Sequence, residues 1–154
     1  MNKKTARQDY VKNVFIGNPE TIIERFKSYG LCKKCWKPKT YYDWCKSCNA
    51  SHFRQDFDKW TSGNTEIDYF IQNTQIHAWA CDLVLEWYPW STFSDIEEIG
   101  KGGYGTVFRA KTKIGRVIKW HHQNNQWRRH YSNLYVALKT IGDSKSKNFM
   151  NEVI

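Results

Sequence analysis

Four cysteines are spaced for metal chemistry. Cys32-Lys33-Lys34-Cys35 and Cys45-Lys46-Ser47-Cys48 form two C-x2-C hooks separated by nine residues. Two residues between the cysteines of a hook turn both thiolates toward one point. Two such hooks complete a tetrahedron of sulfurs around Zn²⁺ at about 2.3 Å. The lysines in and beside the hooks offset the negative charge of a zinc–thiolate cluster and are expected to lower the thiol pKa values. A redox C-x-x-C pair would account for one hook and leave the second unexplained. The short middle segment predicts a small ribbon or knuckle, not a finger with two Cys and two His ligands. His52 lies four residues past Cys48, but four sulfurs already close a structural site. Cys81 is expected to be a small buried apolar residue and not a ligand.

The rings between the hooks allow two readings. Trp36, Tyr41, Tyr42 and Trp44 stand among Lys33, Lys34, Lys37 and Lys39, a basic-aromatic mixture that could stack on RNA bases. The plainer and preferred reading is that these rings cover the metal and pack on the helix that follows, since so small a module needs cover.

A second constellation is rich in glycine. Ile99-Gly100-Lys101-Gly102-Gly103-Tyr104-Gly105-Thr106-Val107 reads G-x-G-x-x-G-x-V. A dinucleotide turn would lead from the glycines into a helix. Here Thr106-Val107-Phe108-Arg109-Ala110 follows, β-branched and alternating, which predicts strand, glycine hairpin, strand. Glycines in such a hairpin let the backbone approach phosphates, with Val107 against an adenine. Further on, Val136-Ala137-Leu138-Lys139 matches the V-A-I-K strand pattern with Leu for Ile, and Asn148-Phe149-Met150-Asn151-Glu152-Val153 reads as a helix start.

These three pieces, in this order, resemble the first part of a protein kinase N-lobe, from about Phe93 to Ile154. The lead-in Phe93-Ser94-Asp95-Ile96-Glu97-Glu98 fits the usual first strand. The resemblance implies ATP as ligand, held by residues Ile99 to Val107 and by Ala137. It implies that Lys139 contacts the α- and β-phosphates and that Glu152 pairs with Lys139. The two hooks around Tyr41-Tyr42-Asp43-Trp44, followed by Leu85-Glu86-Trp87-Tyr88-Pro89, resemble the leader of an expanded family of fungal kinase-like proteins. These lie near the tyrosine-kinase-like group, which mostly phosphorylates Ser/Thr. The sequence holds no H-R-D and no D-F-G, so the base and the Mg²⁺ ligands of such an enzyme are missing. The expectation is an N-terminal fragment, inactive alone, whose protein substrate or scaffold is unknown. A zinc knuckle binding RNA or a protein partner is the alternative.

The stretch from Lys111 to Leu134 is longer than a usual kinase connection. It mixes Lys113, Arg116, Lys119, Arg128 and Arg129 with Trp120, His121, His122, Trp127, His130 and Tyr131. That composition suits RNA. The preferred reading is an elongated hairpin, with Arg116–Trp120 outward, 121–126 as the loop, and a returning strand. His121 and His122, as strand neighbours, face opposite ways.

The elements that must position these residues follow from pattern and composition. Asn18-Pro19-Glu20 reads as a helix start, with Ile22, Ile23, Phe26 and Tyr29 at helical spacing and Gly30 as the stop. Phe53, Phe57 and Trp60 predict a short helix over 50–60. Thr65-Glu66 opens a longer one, expected to fade near Trp87 because Pro89 disfavours helix at Tyr88. The expected fold is α+β. Residues 1–30 form a basic leader with a short helix, 31–60 the four-cysteine zinc module with its helix, 61–92 an acidic helical linker, and 93–154 a partial antiparallel-sheet N-lobe.

The 154 residues carry a net charge of +9, and 16% are aromatic, which excludes a disordered tail. The charge comes in blocks: residues 64–98 hold seven acids and no Lys or Arg, between basic flanks. No apolar run approaches the roughly 20 residues of a membrane span. The start MNKKTARQDYVKNVF lacks the apolar core of a secretory signal. A soluble cytoplasmic protein with reduced thiols and no membrane partner is expected.

Overall fold

The computed structural model describes residues 22–102 and 105–140. The Asn18-Pro19-Glu20 start, Gly103, Tyr104 and Glu152 lie outside them. The described residues fall into two units, one of residues 22–87 with Val117–Arg128, the other of Tyr88–Arg116 with residues 129–140. The described residues have an α+β fold, with three α-helices and two small antiparallel sheets among them.

In the first unit, α1 (Ile22–Tyr29) stops at Gly30, whose φ of +68° is the left-handed conformation that suits glycine after a helix. The next helix, α2, runs Lys46–Arg54 and so begins before the expected 50–60 span. Cys45 is its N-cap, and the Asn49 N–H closes the first turn on the Cys45 carbonyl at 2.9 Å. The second hook is therefore the first turn of a helix, and Phe57 and Trp60 lie beyond its end.

Helix α3 spans Thr65–His77. Asn64 caps it by accepting hydrogen bonds from the N–H groups of Glu66 and Ile67, which satisfies two of the otherwise unpaired first-turn donors. The helix ends about ten residues before the expected Trp87. Trp44 Nε1 donates to the Ala78 carbonyl at 3.0 Å, and the chain then turns back along the helix it has just left. Gln75 Nε2 donates to the Leu85 carbonyl, and Leu85 N–H donates to Thr74 Oγ1. Tertiary hydrogen bonds override the local pattern here. Cys81 sits half-buried in a short 3-10 turn (Cys81–Leu83) at the edge of the core.

The core of this unit is Trp44, Phe53, Ala78 and Val117, flanked by Phe57, Leu83, Val84 and Trp127. Strands β3 (Val117–His121) and β4 (Gln126–Arg129) form the expected hairpin. Val117 to Arg128 belongs to the first unit, although in sequence it interrupts the sheet of the second. Trp127 stacks on Phe53 at 4.3 Å between centroids, and Trp120 stacks on His52 at 3.7 Å.

In the second unit, β1 (Phe93–Gly102), β2 (Gly105–Thr112) and β5 (Leu134–Lys139) form an antiparallel sheet in the order β1-β2-β5. Paired residues share a face. One face presents Val107, Arg109 and Lys111 with Lys139, Ala137 and Tyr135. The other presents Phe108, Ala110 and Thr112 with Leu138, Val136 and Leu134. The second face opens into an apolar cavity of about 440 Å³ that also touches Tyr88, Phe93 and Ile114. None of the described helices is long and apolar enough to cross a membrane.

Trp44 is fully buried, whereas Trp36 is 73% exposed. Trp44→Ala should therefore cost about 3–5 kcal/mol, while Trp36→Ala should stay within about 0.5 kcal/mol of the parent. Urea unfolding of the two variants, followed by near-ultraviolet circular dichroism, checks both values.

Candidate metal centre

The two hooks meet. The sulfurs of Cys32, Cys35, Cys45 and Cys48 all lie within 4.8 Å of one another, with Cys32–Cys48 at 3.8 Å and Cys35–Cys45 at 3.6 Å. A tetrahedron with spokes of about 2.3 Å has edges of about 3.8 Å, so the donor set fits a metal ion such as zinc. The first hook is held as a turn by the Trp36 N–H on the Cys32 carbonyl and by the Leu31–Pro38 bridge. Trp36 completes that turn at a φ of 59°. The second hook is held by α2.

The thiols are not alike. Burial opposes ionisation of Cys32, but the backbone N–H groups of Cys35 and Lys34 point at its sulfur, and its pKa falls to about 7. Burial pushes Cys45 up to about 11, against the N–H of Cys48, and the neighbouring Cys35 and Cys32 sulfurs add to the rise. Cys48 is driven well above the ordinary thiol range by burial and by the sulfurs of Cys35 and Cys45. The expected general lowering by hook lysines is thus replaced by a local one, at Cys32, made by backbone N–H groups. One thiolate is poised, and a cation must draw the protons from Cys45 and Cys48.

His52 is not among the four converging ligands. Its imidazole is buried against Trp120, with neither ring nitrogen hydrogen-bonded. Burial, with Lys34 and His122 nearby, holds its pKa below the usual histidine value. The rings between the hooks divide. Trp44 is sealed in the core, Trp36 and Tyr42 are 73% and 69% exposed, and Tyr41 and Tyr42 cluster with Tyr29 of α1. Trp44 packs on Phe53 of the following helix, as expected, in a core separate from the cysteine cluster, whereas Trp36 is left largely exposed.

The hairpin reaches the hooks by charge as well as by stacking. Lys119 of β3 donates to Asp43 at 2.5 Å and holds that carboxyl below the usual range, with Lys39 and Arg128 adding to the effect. Sequence reading missed this pair, because 76 residues separate its members and no periodicity joins them.

The glycine-rich residues sit where the strand pattern puts them. Ile99, Gly100, Lys101 and Gly102 end β1, and Gly105, Thr106 and Val107 begin β2. Ala137 and Lys139 lie on β5. The register aligns Gly100 with Val107 and Val107 with Lys139 across the three strands. A Cβ on Gly105 would collide with the Thr140 carbonyl, and Gly105 has a φ of +118°. Added Cβ atoms on Gly100 and Gly102 meet nothing within 4 Å among the described residues. Arg109, opposite Ala137, was not singled out from the sequence. It pairs with Glu97 at 2.6 Å and lies over the Tyr135 ring.

Cys45 and Cys48 are protonated in the metal-free protein well above neutrality, and both must bind as thiolates. Zinc binding at about pH 8 should release at least two protons per ion, and affinity should rise with pH. As pH drops below about 7, Cys32 should contribute a further proton. Dye-detected proton release in weak buffer measures this directly, and release of less than one proton would contradict the arrangement.

No family model, curated protein or solved structure matches this chain.

Proposed function

We propose that this chain carries the opening part of an ATP-binding protein kinase lobe, of the Ser/Thr-specific tyrosine-kinase-like kind, behind a leader folded around structural zinc. The observation that carries the reading is the line Gly100–Val107–Lys139 across β1, β2 and β5. Their alignment on adjacent strands supports a reading in which the glycines cover phosphates, Val107 meets an adenine and Lys139 binds the phosphates. The glycines add a second support. Gly105 is required by its own backbone and by Thr140, but no described neighbour excludes a side chain at Gly100 or Gly102. A phosphate group passing close to the backbone supplies the missing reason for glycine there.

In this reading Lys139 meets the phosphates and Glu152 is its ion-pair partner. The sequence holds neither H-R-D nor D-F-G, so these residues supply phosphate cover and not the base or the Mg²⁺ ligands. Zinc in the leader is structural, because four sulfurs leave no open position for water or substrate.

A second reading is a zinc-knuckle module that binds RNA or a protein partner. The exposure of Trp36 and Tyr42 beside the hooks favours it, since exposed aromatics stack on bases or anchor partners.

Metal and nucleotide are tested separately. Fresh protein from reducing buffer should carry about one Zn²⁺ per chain. Cys45→Ser should abolish that stoichiometry, and Cys81→Ser should leave it intact. ATP should bind with a Kd on the order of millimolar, more weakly as salt rises, and Lys139→Ala should remove most of the signal. Calorimetric or fluorescence titration with ATP and a single-stranded RNA in parallel decides between the readings. Micromolar RNA binding without any ATP signal would overturn the kinase reading.

A further inference from the structure

The four cysteines of the cluster are not equally sheltered. Cys32, Cys45 and Cys48 are 4%, 8% and 8% exposed, whereas Cys35 is half-buried and the most open of the four. Their contacts have a direction too. Cys35 touches Cys45 at 3.6 Å, and Cys32 touches Cys48 at 3.8 Å. Each contact runs from one hook to the other, and together they use every sulfur once. Cys81 stands outside the cluster, in its short turn, with its sulfur on the Asp82 carboxylate.

We propose that the cluster is a reversible, peroxide-sensitive modification site. Cys35 is oxidised first, the hooks close as Cys35–Cys45 and Cys32–Cys48 disulfides, and the metal is released while the unit stays folded. The inference rests on the metal reading of the cluster and does not depend on the ATP reading of the β1-β2-β5 sheet.

Oxidation follows thiolate character and access. The Cys35 sulfur attacks one oxygen of hydrogen peroxide. The O–O bond breaks, Cys35 becomes a sulfenic acid, and the other oxygen takes a proton and leaves as water. The Cys45 thiolate then attacks the Cys35 sulfur. An S–S bond forms, the S–O bond breaks, and the departing hydroxide takes a proton to give a second water. The sulfur pair has lost two electrons and the peroxide has gained them. A second peroxide does the same to Cys32 and Cys48. In sum, four thiolates, two peroxides and four protons give two disulfides and four waters, and the metal is left without ligands.

Where the bonds fall matters for the fold. Disulfides within the hooks leave the hooks unjoined. Disulfides between them tie the turn closed by the Leu31–Pro38 bridge to the first turn of α2, the same two pieces that a metal ion would tie. Small modules use either kind of staple. The core around Trp44 contains none of these four cysteines, so loss of the metal takes no group from it.

The test titrates the full zinc-loaded chain with hydrogen peroxide. Lys33, Lys34, Lys39 and Lys46 put the four cysteines on four different tryptic peptides, so a non-reducing digest reads the pairing by mass. Zinc measured before the first addition tests the metal reading alone. About two equivalents of peroxide should release the zinc. The linked peptides should join Cys35 to Cys45 and Cys32 to Cys48. Below one equivalent, dimedone should tag Cys35 before the other three. The oxidised chain should keep its near-ultraviolet tryptophan signal, whereas reduced chain stripped by a chelator should lose it. Dithiothreitol with zinc should restore the starting metal content. Cys81→Ser should change none of these results. Bonds within the hooks, bonds to Cys81 or between chains, first tagging at a buried cysteine, or an oxidised chain that unfolds would each overturn the proposal. The peptide map is readable whatever the starting zinc content, so failure of the metal reading and failure of this pairing stay distinct.

Discussion

The burial of one indole organises the metal-binding unit. Trp44 precedes the second hook by one residue, and three separate segments converge on it. Phe53 comes from α2, Trp127 from β4, and the Ala78 carbonyl from the end of α3. A segment of some thirty residues around two hooks cannot bury enough apolar surface to fold by itself. A metal ion on the four sulfurs would fix the turns that carry them, and Trp44 recruits a core from chain far away in sequence. The indole N–H also needs an acceptor once it is buried. It takes the Ala78 carbonyl, and the helix that provides that carbonyl ends there.

The same recruitment explains why the hairpin does not serve the sheet that flanks it in sequence. Strands β2 and β5 pair directly with each other, six residue pairs in register, so the sheet does not need the intervening residues. Val117 is fully buried with Trp44, and its N–H donates to Glu86 Oε1. Lys119 is tied to Asp43, and Trp120 covers His52. Gly115 permits the change of direction before β3, since a Cβ there would collide with the His130 backbone. A connection that reads as a long insertion is in part a piece of the neighbouring core.

Local chemistry was legible in the sequence and long-range closure was not. The hooks, the Gly30 stop, the β1–β2 glycine hairpin and the β3–β4 hairpin each follow from spacing or turn residues within a few positions. Errors arose where a distant partner decided the outcome. Helix α3 ends at Ala78 because of Trp44. Helix α2 starts at Lys46 because Cys45 caps it and the second hook forms its first turn, so Phe53 alone of the Phe53, Phe57, Trp60 series lies on it. The thiol pKa values follow the same rule. Counting lysines predicts a general lowering, but the lowering seen is at Cys32, where backbone N–H groups of its own turn face the sulfur.

A further distinction lies between residues that the fold requires and residues that it merely permits. Gly105 is required, because any side chain there collides with the Thr140 carbonyl, and Thr140 is tied to Thr106 through both its N–H and its hydroxyl. Trp44 is required by the core. Gly100 and Gly102 answer to no such demand among the described residues, and neither does the exposed ring of Trp36. Glycine in a strand interior weakens it, and an exposed tryptophan adds little to stability. Packing among the described residues therefore gives no account of these three positions. Under the proposed nucleotide reading, a phosphate passing close to the backbone accounts for Gly100 and Gly102, and under the second reading a base or a partner surface accounts for Trp36.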